Sequence, residues 1–213
     1  MIWTIPNMLT IFRVLLVPVF VFFLLGEGSG VRLTALIIFA VAAITDYLDG
    51  RIARSLNQRS EFGNFADPLA DKLLVAAALI TFVFIPETRI PLWAVLLILA
   101  REVLITWLRI SAIRRNEPIE TSLWGKSKTA AQMVTIVVVL IILVVQAFIV
   151  ETDPAALADA SVFWERYANN ASWGEFLGAL PLALILITCF LTVFSGFVYL
   201  WQNRKIVFTR TRD

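Results

Sequence analysis

The chain has 213 residues, 60% of them hydrophobic and 16% charged, with a mean hydropathy of +0.85 and a formal net charge of +2. Soluble domains carry roughly 45–50% apolar residues and about 25% charge, so this chain holds more apolar surface than a core of its size hides from water. It contains no His and a single Cys, Cys189, which excludes His-based triads and metal sites, disulfide frameworks and thiolate zinc centres.

Uninterrupted apolar runs predict six membrane-spanning helices over about 8–25, 31–49, 68–85, 91–113, 129–150 and 178–202. Punctuation supports the boundaries: Gly26-Glu27-Gly28-Ser29-Gly30 after the first run, Pro86 to Pro91 after the third, and Trp124-Gly125 before the fifth. Met1–Asn7 lacks a basic segment of the signal-peptide kind, so the first span is expected to be retained. With no repeat or low-complexity tract, residues 1–213 read as one membrane-embedded domain. The expected fold class is therefore an all-α integral membrane protein.

Positive charge sorts between the two sides. Arg51, Arg54 and Arg59 follow the second run, and Arg114, Arg115, Lys126 and Lys128 follow the fourth. Arg204, Lys205, Arg210 and Arg212 end the chain, whereas the segment Glu151–Gly174 carries Glu151, Asp153, Asp159 and Glu165 against Arg166 alone. The positive-inside rule then places both termini in the cytoplasm, in agreement with an even number of spans. Segment 151–177 is the one sizeable outward loop and is expected to hold a short interfacial helix.

The stretch from Ile44 to Leu74, ITDYLDGRIARSLNQRSEFGNFADPLADKLL, carries the chemistry. Asp46 and Asp49 end the second span, and Asp67 and Asp71 begin the third. Spacings of three and four residues put each pair on one helix face. A short connection around Ser55–Gly63 then brings all four carboxylates to one membrane boundary. Uncompensated, they would repel one another and resist desolvation, a difficulty that a divalent cation removes. With oxygen-only ligands the candidates are Mg²⁺, Mn²⁺ or Ca²⁺. The alternative is structural, with the aspartates serving as salt-bridge partners of nearby Arg and Lys, and Asp67 as a cap before Pro68. Gly50 and Ala53 continue the Asp46–Asp49 stripe; such small residues allow close helix packing or leave room for a flat ligand, and Arg54 beside them suits a phosphate.

These residues form the pattern D46-x2-D49-G50-x2-A53-R54-x8-G63-x3-D67-x3-D71, which resembles the signature of the CDP-alcohol phosphatidyltransferase family at every fixed position. The resemblance implies a six-helix membrane enzyme, usually a homodimer, that moves a phosphatidyl group from a CDP-linked lipid to an alcohol and releases CMP. It implies that Asp46, Asp49 and Asp67 bind Mg²⁺ or Mn²⁺, as a pair of ions, and that Asp71 is the base and also touches a metal. It implies that Asn7 and Thr10, with Asp46, Gly50, Ala53, Arg54, Ser60 and Gly63, line the CDP-lipid site. The lack of His agrees, since it leaves a carboxylate as the base.

Two further segments, Ile5 to Arg13 and Ala100–Arg109 with Ser122–Met133, are similar to the branch of that family whose acceptor is glycerol 3-phosphate. Arg101 and Arg109 lie near one helical face, and Lys126 and Lys128 open the next span. Intramembrane Arg is costly and has a partner or a task. The partner reading gives Arg101 to Glu102 or Asp71 and lets the lysines reach the headgroups. The functional reading is a cationic pocket that grips an acceptor carrying its own phosphate. CDP-diacylglycerol, glycerol 3-phosphate, the bilayer and a second copy of the chain are thus the expected partners, with no nucleic acid, at a bacterial inner membrane. Inositol phosphate and phosphatidylglycerol (cardiolipin synthesis) are the alternative acceptors. A divalent-cation transporter is the alternative of another class, which the clustering of the aspartates at one edge disfavours.

Overall fold

The computed structural model describes the backbone over residues 5–55, 61–114, 123–152 and 172–204, and side chains over 8–45, 72–108, 110–112, 129–152 and 178–204. The described residues form helices α1 (Ile5–Leu24), α2 (Ser29–Ser55), α3 (Glu61–Val83), α4 (Leu92–Arg114), α5 (Leu123–Thr152) and α6 (Ser172–Gln202), and no strand. A 3₁₀ turn, Pro86–Thr88, joins α3 to α4. Stretches of α5 and α6, Thr129–Thr152 and Gly178–Gln202, are long and apolar enough to cross a membrane. Shorter apolar stretches fill α1, α2 and α3. Large side chains such as Phe22, Phe84, Val103 and Phe190 face outward, a surface that suits lipid and would aggregate in water.

Several helices outrun the apolar segments that announce them. α2 continues past Asp49 to Ser55, and α3 begins at Glu61 rather than at Pro68. The reason is that hydropathy marks what lipid touches, whereas helical hydrogen bonding continues through polar residues beyond it. Asp67 and Pro68 therefore lie inside α3, and Asp67 is not the cap of a first-turn proline. Gly63 likewise belongs to the start of α3 instead of a loop. At the other side of the chain α5 reaches Thr152 and α6 begins at Ser172; the interfacial helix expected between them lies outside the described residues.

The helices close into a ring. α1 packs against α2 and α3, α2 against α5, α5 against α6, α6 against α4, and α4 more lightly against α3. Phe20 of α1 and Phe39 of α2 meet with ring centroids 5.6 Å apart. Ala35, Ala42 and Ala78 are fully buried beside them, and Leu79, Phe82, Leu140 and Leu143 complete the core. Small residues at such contacts let backbones approach, which is the main source of packing energy when lipid is the solvent.

Polar groups tie one end of the ring together. Gly28, at φ +97°, turns the chain out of α1 in a conformation that L-residues avoid. The next residue, Ser29, donates from its backbone nitrogen to Glu151 Oε1 (2.6 Å) and from its hydroxyl to Glu151 Oε2 (2.5 Å). A carboxylate at the end of α5 thus caps the start of α2, where free N–H groups and the helix dipole favour negative charge. One turn further on, buried Arg32 pairs with Glu87 of the 3₁₀ turn at 2.8 Å and reaches the Leu143 carbonyl of α5 at 3.4 Å. Thr88, fully buried, donates its hydroxyl toward the Phe82 and Ile85 carbonyls at the end of α3.

Glu87→Gln leaves the Arg32 charge buried without its counter-charge. Because Glu87 retains some solvent contact, the expected cost is about 1–3 kcal/mol. Thermal unfolding of the detergent-solubilised protein should show a midpoint lowered by a few degrees; an unchanged midpoint would mean that the pair contributes nothing.

Candidate active site

The opposite end of the ring is where the chemistry-bearing positions gather. The α2 backbone carries positions 46, 49, 50 and 53 near its C-terminus, at the i, i+3, i+4, i+7 spacing of one helix face. The α3 backbone carries 63, 67 and 71 at successive spacings of four from its first turn onward. Since α2 runs away from the Arg32–Glu87 end and α3 runs back to it, both stripes lie at the same end of the ring. The side chains of Asp46, Asp49, Asp67 and Asp71 lie outside the described residues, as do those of Asn7, Gly50, Ala53, Arg54, Gly63, Arg109, Lys126 and Lys128. Ser60 lies outside them altogether. Among the described residues, no group of three or more Cys, Asp or Glu side chains gathers elsewhere to hold a metal.

Two of the expected site residues have described side chains. Thr10, on α1, is buried at 2% exposure. Arg101, on α4, is largely buried and held from two sides. Its Nη1 lies 3.4 Å from Glu102 Oε1, and its Nη2 donates to Ser195 Oγ of α6 at 2.9 Å. Glu102 offers its other oxygen to Lys72 Nζ of α3 at 3.2 Å. Lys72 also donates to Thr106 Oγ1 at 2.7 Å, whose own proton goes to the Glu102 carbonyl at 2.7 Å. One polar chain therefore crosses three helices, from α3 through α4 to α6.

This chain has a direct bearing on the acidic stripe. Lys72 follows Asp71, so its bonds to Glu102 and Thr106 pin the rotation of α3 beside position 71. α3 and α4 otherwise touch only lightly, so these polar ties are a large share of what holds the two helices in register. The partner that the sequence reading offered for Arg101 is thus present in Glu102. Ser195 is an additional one that the reading did not contain, because a serine within an apolar run carries no signal of what it will face.

Among the buried polar residues that escaped the sequence reading, two lie one turn from expected site residues. Arg13, on the inward face of α1 one turn beyond Thr10, is only 1% exposed. A single Arg inside the first apolar run was the available signal, since ionisable residues at such depth mark functional sites. Gln132, buried at 4% exposure on α5, lies one turn beyond Lys128, and its amide nitrogen has no hydrogen-bond partner among the described residues. An amide between Ala131 and Met133, inside the fifth apolar run, was the signal there.

Comparison with known proteins adds a family. A family model described as CDP-alcohol phosphatidyltransferase matches residues 3–164. The chain belongs to the CDP-alcohol phosphatidyltransferase family. An Escherichia coli (strain K12) relative named CDP-diacylglycerol–glycerol-3-phosphate 3-phosphatidyltransferase is 40% identical over 207 residues, covering 95% of this chain and 96% of its own. A Bacillus subtilis (strain 168) relative of the same name is 36% identical over 213 residues, covering 94% and 95%. A Mycobacterium tuberculosis relative named probable phosphatidylglycerophosphate synthase is 44% identical over 133 residues, and there the match spans 61% of this chain and 62% of the relative.

CDP-alcohol phosphatidyltransferases are membrane-associated and generally depend on divalent metal. The donor set of this chain fits such an ion. It has no His and a single, apolar-buried Cys, while the oxygen donors of the acidic stripes are the ligands that hard cations prefer.

Glu102→Gln removes the carboxylate that Lys72 and Arg101 share, and is expected to cost about 2–3 kcal/mol. Thr106→Val, which removes only a neutral acceptor from Lys72, should cost about 1 kcal/mol. Unfolding midpoints of the two variants should rank in that order; equal midpoints would argue against Glu102 as the centre of the chain.

Proposed function

We propose that this chain transfers the phosphatidyl group of CDP-diacylglycerol to glycerol 3-phosphate, yielding phosphatidylglycerol phosphate and CMP in phospholipid biosynthesis. The observation that carries the reading is the similarity at 40% identity, over nearly the full length of both chains, to a relative named for that reaction. The register of the acidic positions on α2 and α3 supports it, because it offers four carboxylates at one end of the ring.

In this reading Asp46, Asp49, Asp67 and Asp71 hold Mg²⁺ or Mn²⁺, as a pair of ions. When bound, the metal neutralises the diphosphate and eases departure of CMP. Asp71 takes the proton of an acceptor hydroxyl. That oxygen forms a bond to the phosphorus that carries diacylglycerol, while the bond from this phosphorus to the bridging oxygen breaks and CMP leaves with it. Asn7, Thr10, Gly50, Ala53, Arg54, Ser60 and Gly63 line the CDP-lipid site. Arg101, Arg109, Lys126 and Lys128 form the cationic side that receives the phosphate of the acceptor, a group that neutral alcohols lack.

The same reading places six helices across the bilayer of a bacterial inner membrane, with both termini and the site on the cytoplasmic side and two chains per assembly. Acyl chains then remain in lipid while nucleotide and acceptor exchange with the cytoplasm. The positive charge of the segments flanking the acidic stripes supports that orientation.

The test is product formation by the purified protein with CDP-diacylglycerol and, separately, glycerol 3-phosphate, inositol phosphate and phosphatidylglycerol. Phosphatidylglycerol phosphate and CMP in equal amounts are expected from the first acceptor alone; product from another acceptor and none from glycerol 3-phosphate would overturn the substrate assignment. Asp71→Asn should lower kcat about 10²- to 10⁴-fold with CDP-diacylglycerol binding retained. Asp46→Asn should weaken binding of both metal and nucleotide. Normal turnover by Asp71→Asn would remove it as the base.

A further inference from the structure

We infer that Ser195 and Gly196 of α6 are positioning residues for the acceptor: they form a seat that fixes the Arg101 guanidinium in the orientation in which it meets the acceptor phosphate. The inference rests on the assignment of Arg101 to the acceptor side and adds a third helix to that subsite.

The seat has two parts. Ser195 is buried at 2% exposure, and its hydroxyl donates to the Thr192 carbonyl of its own helix at 3.0 Å. With the proton spent there, the oxygen presents lone pairs to Arg101 Nη2 at 2.9 Å. Gly196 supplies the space. A Cβ built on it would lie 3.2 Å from both Cγ and Nε of Arg101, so the arginine stem lies against bare α6 backbone, and any side chain at 196 displaces it by a few tenths of an ångström. Glu102 contacts the guanidinium through Nη1. Contacts at both terminal nitrogens set the plane of the group as well as its location.

Orientation of that plane has chemical value. A guanidinium recognises phosphate through parallel N–H donors, so misalignment costs affinity even when the charge is in place. An arginine held in advance by its neighbours also loses less side-chain freedom when the ligand arrives. The Ser195 acceptor and the space at Gly196 together serve Arg101, and they come from a helix that carries none of the acidic motif.

The test uses the full chain, in detergent–lipid micelles, with KM measured separately for glycerol 3-phosphate and CDP-diacylglycerol. Ser195→Ala should raise KM for glycerol 3-phosphate about five- to tenfold, and Gly196→Ala about threefold, with KM for CDP-diacylglycerol and kcat within about twofold of the parent. Arg101→Ala should raise the same KM further, and Ser195→Ala should add nothing in the Arg101→Ala background. If Ser195→Ala retains its full effect in that background, or shifts both KM values alike, the seat is overturned while Arg101 keeps its role. If Arg101→Ala leaves KM for glycerol 3-phosphate unchanged, the acceptor assignment itself fails. Ser195→Ala removes one oxygen without adding volume, so it remains informative if Gly196→Ala does not fold.

Discussion

A charge buried between apolar helices is tolerable only when another helix answers it. In this protein that rule operates at both ends of the ring. At one end Arg32 of α2 meets Glu87 in the α3–α4 turn, and Glu151 of α5 caps α2 through Ser29. At the other, Lys72, Glu102 and Arg101 draw α3, α4 and α6 together. The apolar middle, with Phe20, Phe39 and four fully buried alanines, supplies close packing but little direction, because alkyl contacts allow sliding. Ion pairs and hydrogen bonds fix register, while the opposite directions of α2 and α3 carry their aspartate positions to the same end.

The parts of this design that lie on one helix were readable in advance. Asp46 with Asp49, and Asp67 with Asp71, share a face by spacing alone, and lipid-length apolar runs mark where the helices are. Helix ends were less readable. The polar stretches 50–55 and 61–67 look like connection to a hydropathy scan, yet the backbone hydrogen bonds continue through them. Lengthening α2 and α3 in this way changes the meaning of Pro68 and Gly63, which punctuate a loop on paper and sit within a helix in the fold.

Contacts between helices were the least readable. Arg32 and Glu87 belong to separate segments, and neither announces the other. Glu102 was a plausible partner for Arg101 because they are neighbours in the chain, but Ser195 and Gly196 stand in an apolar run of a helix remote in sequence. A hydroxyl or a missing side chain acquires significance only from what packs against it. Arg13 and Gln132 differ in degree: a lone polar residue in an apolar span carries its own warning of desolvation cost, even though its role must wait for the fold.

The division between the two ends has a physical rationale. In the proposed reading the four aspartates bring negative charge to one end of the ring, and like charges there repel one another until cations are bound. Glu151 and the Arg32–Glu87 pair hold α2 to α5 and to the α3–α4 turn at the end distant from the aspartate positions, so these ties do not draw on the aspartates. Lys72, next to position 71, bonds Glu102 and Thr106 of α4. The anchors at the far end and the Lys72–Glu102 tie thus do complementary work: one keeps the acidic helices together, the other directs a neighbouring ammonium to a carboxylate on α4.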